Sequence, residues 1–153
     1  MPVDYLTGYV LGYSGVMAMG ADKPFPLAAA LRAWVEQRSS AMLIPALAAQ
    51  LVPLEFAEFL DQGLVQIADL TATTAREAAP VMRALAMTAD EPSGADWTGD
   101  LDAELDERLD ETLEATVGGH AVLLARERNW PLVTRKPWIY EPYAGEINIW
   151  DLQ

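Results

Sequence analysis

The sequence predicts an α/β fold: a three-layer α/β/α domain around a short, mainly parallel central sheet. Three observations lead there. Short apolar runs of strand length alternate with amphipathic stretches of helical length, the order expected when helices cross over between parallel strands. The chain has 153 residues, 52% hydrophobic and 22% charged, enough to bury a core without cross-links and too apolar for a disordered chain. No internal repeat or low-complexity linker divides it, so residues 1–153 are read as one domain.

The elements follow in order. Tyr9-Val10-Leu11 reads as a short buried strand, with a turn over Gly12–Gly15 before a helical start. Ala21–Pro26 is a loop. Leu27, Leu31, Trp34 and Val35 recur at i, i+4, i+7 and i+8, which predicts one apolar helix face. Ala41–Ile44 is a second strand, and Pro45 opens a helix where its missing N–H costs nothing. Pro53 should split that helix; Leu54–Leu60 continues helical and stops near Gly63. Leu64–Ala68 reads as a strand. Thr73 or Thr74 is the expected cap of the next helix, with Val81, Met82 and Leu85 facing inward and Pro80 as a local fault. Asp90–Gly99 is a loop. Leu101, Leu105, Leu109, Leu113 and Val117 then form an apolar stripe on an acidic helix, and Gly118-Gly119 marks a bend or a tight packing point. The helix ends near Asn129, and Pro131–Thr134 and Ile147–Leu152 close the chain as strands.

Composition narrows the function classes. The absence of cysteine rules out disulfides, thiolate metal sites and thiol nucleophiles. Ten Lys and Arg against 23 Asp and Glu give a net charge of −13, which opposes broad electrostatic binding to nucleic acid or anionic lipid. Ala41–Val52, the longest apolar run, is broken by Pro45 and Gln50 and is too short to span a bilayer. With no basic region ahead of Tyr9–Met19 to suggest a signal peptide, a cytoplasmic protein is expected.

Three segments carry a family resemblance. His120–Pro137, HAVLLARERNWPLVTRKP, has a small-residue helix, a turn, a short strand and then Thr-Arg; Tyr9–Ala18, YVLGYSGVMA, has an opening strand and turn; Ile44–Leu51, IPALAAQL, has a strand end and a Pro-led helix. In order and spacing they resemble PIN domains, the fold of many toxin-type ribonucleases. The resemblance implies metal-dependent phosphodiester cleavage, with three or four carboxylates holding Mg²⁺ or Mn²⁺ at the sheet's C-terminal edge. It also implies a homodimer packed through helices near the chain's middle, and a protein partner such as an antitoxin.

Carried over residue by residue, the implied ligand positions are not acidic. The first falls on Gly12, with Ser14 matching the nearby hydroxyl; the second on Gln50 or Leu51; the third within Ala115–Gly118; the last on Lys136. Acids that would rescue the site are Asp4, Glu55, Asp110 and Glu114. The expectation is therefore a degenerate nuclease with no metal cofactor, acting through protein association. The alternative is a Mg²⁺- or Mn²⁺-dependent endoribonuclease with an unorthodox carboxylate set.

Other features have ordinary readings. The acids Asp100, Asp102, Glu104, Asp106, Glu107, Asp110, Glu111 and Glu114 are read as the solvated face of an amphipathic helix rather than a cation collector or nucleic-acid mimic. His120, the only histidine, is read as packed and hydrogen-bonded, and no second histidine supports a zinc site. Arg126, Arg128, Arg135 and Lys136 cluster in sequence, but Arg126 and Arg128 diverge on a helix, so surface arginines are expected rather than a phosphate patch. Trp130, Trp138, Tyr140, Tyr143 and Trp150 are read as packing or interface aromatics rather than a base-stacking platform. Ser14 has no His or Asp at a triad-like spacing, and the glycines near it make no phosphate loop.

Overall fold

The structure, a computed structural model, describes residues 8–20, 26–38, 40–90 and 101–152. Five strands form one sheet: β1 (Gly8–Leu11), β2 (Ala41–Pro45), β3 (Val65–Ala68), β4 (Leu132–Thr134) and β5 (Ile149–Asp151). They lie in the order β3-β2-β1-β4-β5, and every neighbouring pair is parallel. Parallel strands need crossovers, and the chain supplies them as helices on both faces.

The pleat assigns alternate residues of each strand to opposite layers. Tyr9, Leu11, Met42, Ile44 and Val133 pack against α1 (Tyr13–Met19), α2 (Pro26–Arg38), α3 (Ala46–Leu51) and α4 (Ala57–Leu60). Val10, Leu43 and Leu132 face the other way, toward α5 (Ala72–Asp90), α6 (Leu101–Arg128) and the 3-10 helix Pro137–Tyr143. The result is the three-layer α/β/α arrangement. Among the described residues no helix is long and apolar enough to cross a membrane.

Several expectations change in the structure. No turn separates Gly12 from Gly15: α1 begins at Tyr13, directly after β1. On α2, Leu31 and Val35 are buried with Ala28, whereas Leu27 and Trp34 are about half exposed. Pro53 does split the third helical stretch, and a 3-10 turn at Leu54–Phe56 precedes α4. The cap of α5 is Thr71, whose Oγ1 accepts the Thr74 N–H at 3.1 Å, not Thr73 or Thr74. Pro80 lies inside α5 without ending it.

The leucine stripe of α6 also fails as a single face. Leu105 and Leu109 are exposed, Leu113 is partly buried, and Val117 is fully buried. A four-residue repeat overshoots the 3.6-residue turn by about 40° per step, so over four steps it winds about 160° around the helix. Gly118 and Gly119 put no break in α6. They are packing points: a Cβ at Gly119 would stand 2.8 Å from the Ala78 carbonyl oxygen of α5, and one at Gly118 would stand 2.7 Å from Leu85 Cδ1. Asn129, at φ 56°, takes the left-handed conformation that closes a helix C-terminus. The expected loop within 91–99 lies outside the described residues, and Asp90 itself ends α5.

Candidate functional site

In this strand order the chain runs outward from β1 through β2 to β3, then returns to the other side of β1 as β4. The connections leaving β1 and β4 therefore diverge, and a crevice opens beyond their C-terminal ends, where ligands of open parallel sheets bind. Gly12, Tyr13 and Ser14 leave β1 there, and Arg135 and Lys136 leave β4. Helix α6 adds Glu114 from behind, and the 3-10 helix adds Tyr140.

Glu114 is the centre of this arrangement and has no solvent exposure. Its Oε1 accepts the Ser14 N–H at 2.9 Å, and its Oε2 accepts the Tyr140 hydroxyl at 2.5 Å. Ser14 is the second residue of α1, so its N–H is one of the donors that the helix itself cannot satisfy. Gly12, at the N-cap, has no side chain to serve it. A carboxylate one hundred residues away in sequence performs the capping role. Both Glu114 oxygens are thus held by neutral donors, each a charge-assisted hydrogen bond.

A second network ties α1 to the exit of β4. Ser14 Oγ accepts the Arg135 N–H at 2.9 Å and shares a hydrogen bond of 3.0 Å with Thr134 Oγ1. Thr134 Oγ1 in turn accepts the Lys136 N–H at 2.9 Å. Each hydroxyl accepts a backbone N–H of the turn after β4.

Burial pushes the Tyr140 phenol well above its ordinary range, with the Glu114 charge and hydrogen bond acting in the same direction. Tyr13 is raised as well, first by burial and then by Asp110 and Glu114. Tyr13, Ser14, Met17, Asp110, Arg135 and Lys136 line a cavity of about 200 Å³. Lys136 Nζ lies 5.2 Å from the centre of the Trp138 ring.

Of the positions singled out in the sequence, Gly12, Ser14 and Lys136 do meet here, joined by Glu114 and Asp110. Glu114 leaves the solvated face predicted for it. Gln50 and Glu55 are exposed, on α3 and on the turn after it, and neither lines the cavity. Gly118 contributes no ligand position but lies against the Tyr140 hydroxyl, 3.0 Å from a Cβ built on it. Ala115 and Val117 are buried in the two cores, and Asp4 lies outside the described residues.

The space at Gly12 is already taken. A Cβ built there would collide with Glu114 Oε2 and stand 2.9 Å from the Tyr140 hydroxyl. The backbone at Gly12 is extended, φ −72° and ψ 175°, a conformation any residue adopts. Glycine is required by the neighbours, not by the dihedrals. Nothing in the sequence marks Tyr140 as a site residue beyond its membership in the aromatic C-terminal segment.

A divalent-cation centre does not fit these residues. Such ions need several anionic oxygens on one side of open space. Here Glu114 is turned inward with each oxygen already accepting a hydrogen bond, Asp110 is the one carboxylate lining the cavity, and two cations flank it. Among the described residues no group of three or more His, Cys, Asp and Glu side chains is placed to hold a metal ion.

The remaining basic residues do not converge. Arg126 pairs with Glu146 at 2.7 Å, and the Arg128 guanidinium lies 5.2 Å from the Trp130 ring centre. Tyr140 is fully buried and Trp130 and Tyr143 partly so, whereas Trp138 and Trp150 are each 39% exposed. His120 is buried as expected, and its Nδ1 has no hydrogen-bond partner. Burial lowers its pKa. No family model matches the sequence, and no curated protein matches it.

Proposed function

We propose that this is a PIN-like protein whose nuclease centre has been converted into a structural joint, and that it acts by associating with other protein chains. One observation carries the reading: Glu114, at the crevice beyond β1 and β4, is buried and spends both oxygens on Ser14 and Tyr140. Freeing that carboxylate for a hydrated cation would break two charge-assisted hydrogen bonds and uncap α1. The ammonium of Lys136 adds repulsion at the cavity rim.

For association, the proposed partner is a second copy of the chain, joined through its middle helices. Leu27 and Trp34 on α2, Leu51 on α3 and Leu54 just after it expose 50%, 44%, 40% and 92% of their surfaces. Exposed large apolar side chains in one stretch of chain are the raw material of an interface. The experiment is sedimentation equilibrium beside an RNA-cleavage assay with Mn²⁺. A dimer that leaves single-stranded RNA intact is expected, and chelator-sensitive cleavage would overturn the reading.

One observation favours the alternative, a metal-dependent endoribonuclease. Asp110 and Glu114, one helical turn apart on α6, both belong to the crevice region. If Tyr140 released Glu114, two carboxylates would stand near Ser14. That reading requires cleavage that Glu114→Gln or Asp110→Asn abolishes.

A further inference from the structure

We propose that the open edge of the sheet at β3 takes up an extended strand of a partner protein, one in which Lys or Arg alternates with apolar residues. The inference rests on the reading that the chain acts by protein association, and it concerns the sheet edge rather than the exposed side chains of the middle helices. Among the described residues β3 pairs only with β2. In a parallel ladder, alternate residues turn their N–H and C=O groups toward a given neighbour. The Met42 N–H donates to the Leu64 carbonyl at 2.8 Å. Leu64, Gln66 and Ala68 therefore turn toward β2, and Val65 and Ile67 turn outward. The Val65 N–H is taken by the Gln62 carbonyl at 3.0 Å. The Val65 carbonyl and both backbone groups of Ile67 remain on the rim.

Proteins usually blunt such an edge with Lys, Pro or a covering element. Strand β3, VQIA, has neither Lys nor Pro, and Gln66 and Ile67 are both exposed, Ile67 by 48%. The opposite edge is better guarded. There Asp151 places a charge on β5, and the Trp150 ring lies 5.2 Å from that of Tyr9.

The two faces of β3 name the occupant. Ile67 pairs in register with Ile44 and faces the α1–α4 layer, where an added strand meets apolar surface. Gln66 pairs with Leu43 and faces the α5/α6 layer, which covers Leu43 but stops short of Gln66. On that side a cleft runs beside the strand, lined by Asp69, Glu77 and Glu127 against Arg128, whose guanidinium lies over Trp130. The acids hold no ligand by themselves; they fix the sign of the side chains that an added strand places there. Residues 39–75 include no Lys or Arg, so neither β3 nor its sequence neighbours repel a cation. A second copy would set these acids against their own kind, which favours a basic partner. Side chains of a strand alternate between faces. The complementary segment therefore alternates apolar and basic residues, while its main chain supplies the hydrogen bonds.

The probe is a capped hexapeptide in which Lys and Val alternate, added to the natural chain at low salt. Saturable binding is expected, with half-saturation below about 1 mM, and amide exchange at Ile67 should slow about tenfold as its N–H gains an acceptor. Two N-methylated versions, blocked at the Lys amides or at the Val amides, keep the charge. One should bind about tenfold more weakly, because its lost donors face β3, and the other nearly as the parent does. Ile67→Lys should weaken binding about tenfold with circular dichroism unchanged. The proposal is overturned if both N-methylated peptides bind alike, if Ile67 exchange does not change, or if a Glu-Val peptide binds as tightly. It is also overturned if Ile67 becomes protected with rising protein concentration alone, which would make a second copy the occupant. Dimerisation and RNA cleavage do not enter this readout, so a failure here leaves the broader association reading standing.

Discussion

Tyr140 donates its hydroxyl hydrogen to Glu114 across 2.5 Å, and neither side chain is reached by solvent. The pair occupies the space beside Gly12 where the family resemblance implies a metal-binding acid. A carboxylate and a phenol, residues from α6 and from a short 3-10 helix, thereby lock three elements around the end of β1.

Removing the phenolic oxygen tests that lock. Tyr140→Phe leaves Glu114 buried with the Ser14 N–H as its remaining partner of the two. The loss is expected to be about 1–3 kcal/mol, read as a lower urea midpoint with an unchanged m-value. Glu114→Ala should cost more, about 2–5 kcal/mol, because it leaves a cavity as well as two stranded donors.

Tyr140 also sets an alkaline limit. Its pKa is raised in the folded protein, so the fold favours the neutral phenol. The sign follows from linkage: the stabilisation is fully present below the ordinary phenol pKa of about 10 and is lost as pH rises from there toward the folded value. Denaturation midpoints should fall above that pH in the native protein and fall less in Tyr140→Phe. Ultraviolet titration should show Tyr140 ionising only as the protein unfolds.

Gly12→Asp, which writes the implied first acid back into the chain, should not restore a site. Its Cβ meets Glu114 Oε2, and its charge falls beside another carboxylate. A destabilisation of about 3 kcal/mol or more is expected, part of it already present in Gly12→Ala through overpacking alone. Thermal melts of the two variants separate space from charge.

Ser14→Ala removes the hydroxyl that accepts the Arg135 N–H and meets Thr134. If Ser14 is a structural tie, the cost is about 1–2 kcal/mol of stability, with faster amide exchange at Arg135.

Association has its own variant. Leu54→Glu places a charge on the most exposed of the large apolar side chains, 92% accessible. Sedimentation should show a dimer of the natural chain and a monomer of Leu54→Glu, with circular dichroism unchanged.

Much of the fold was legible because its signals are local. Apolar strands, Pro45 and Pro53 all act within a few residues of themselves. The errors share a different cause. The Leu101–Val117 repeat looked like a stripe because every fourth residue was apolar, yet the helical period carries Leu105 and Leu109 away from the core. The sequence offers Glu114 both as an acid of a solvated face and as a rescue ligand, and nothing nearby announces that Ser14, one hundred residues earlier, lacks a cap acceptor. Tyr140 was hidden among other aromatics for the same reason. Which acid turns inward is decided by long-range hydrogen bonds, and periodicity does not report them.

The most direct test of the converted centre is calorimetric titration of the natural chain with Mn²⁺. With Glu114 held by Ser14 and Tyr140, no saturable heat is expected up to about 1 mM metal, a range in which carboxylate-rich divalent sites fill. A one- or two-site isotherm that Glu114→Gln abolishes would contradict the account and restore the nuclease reading.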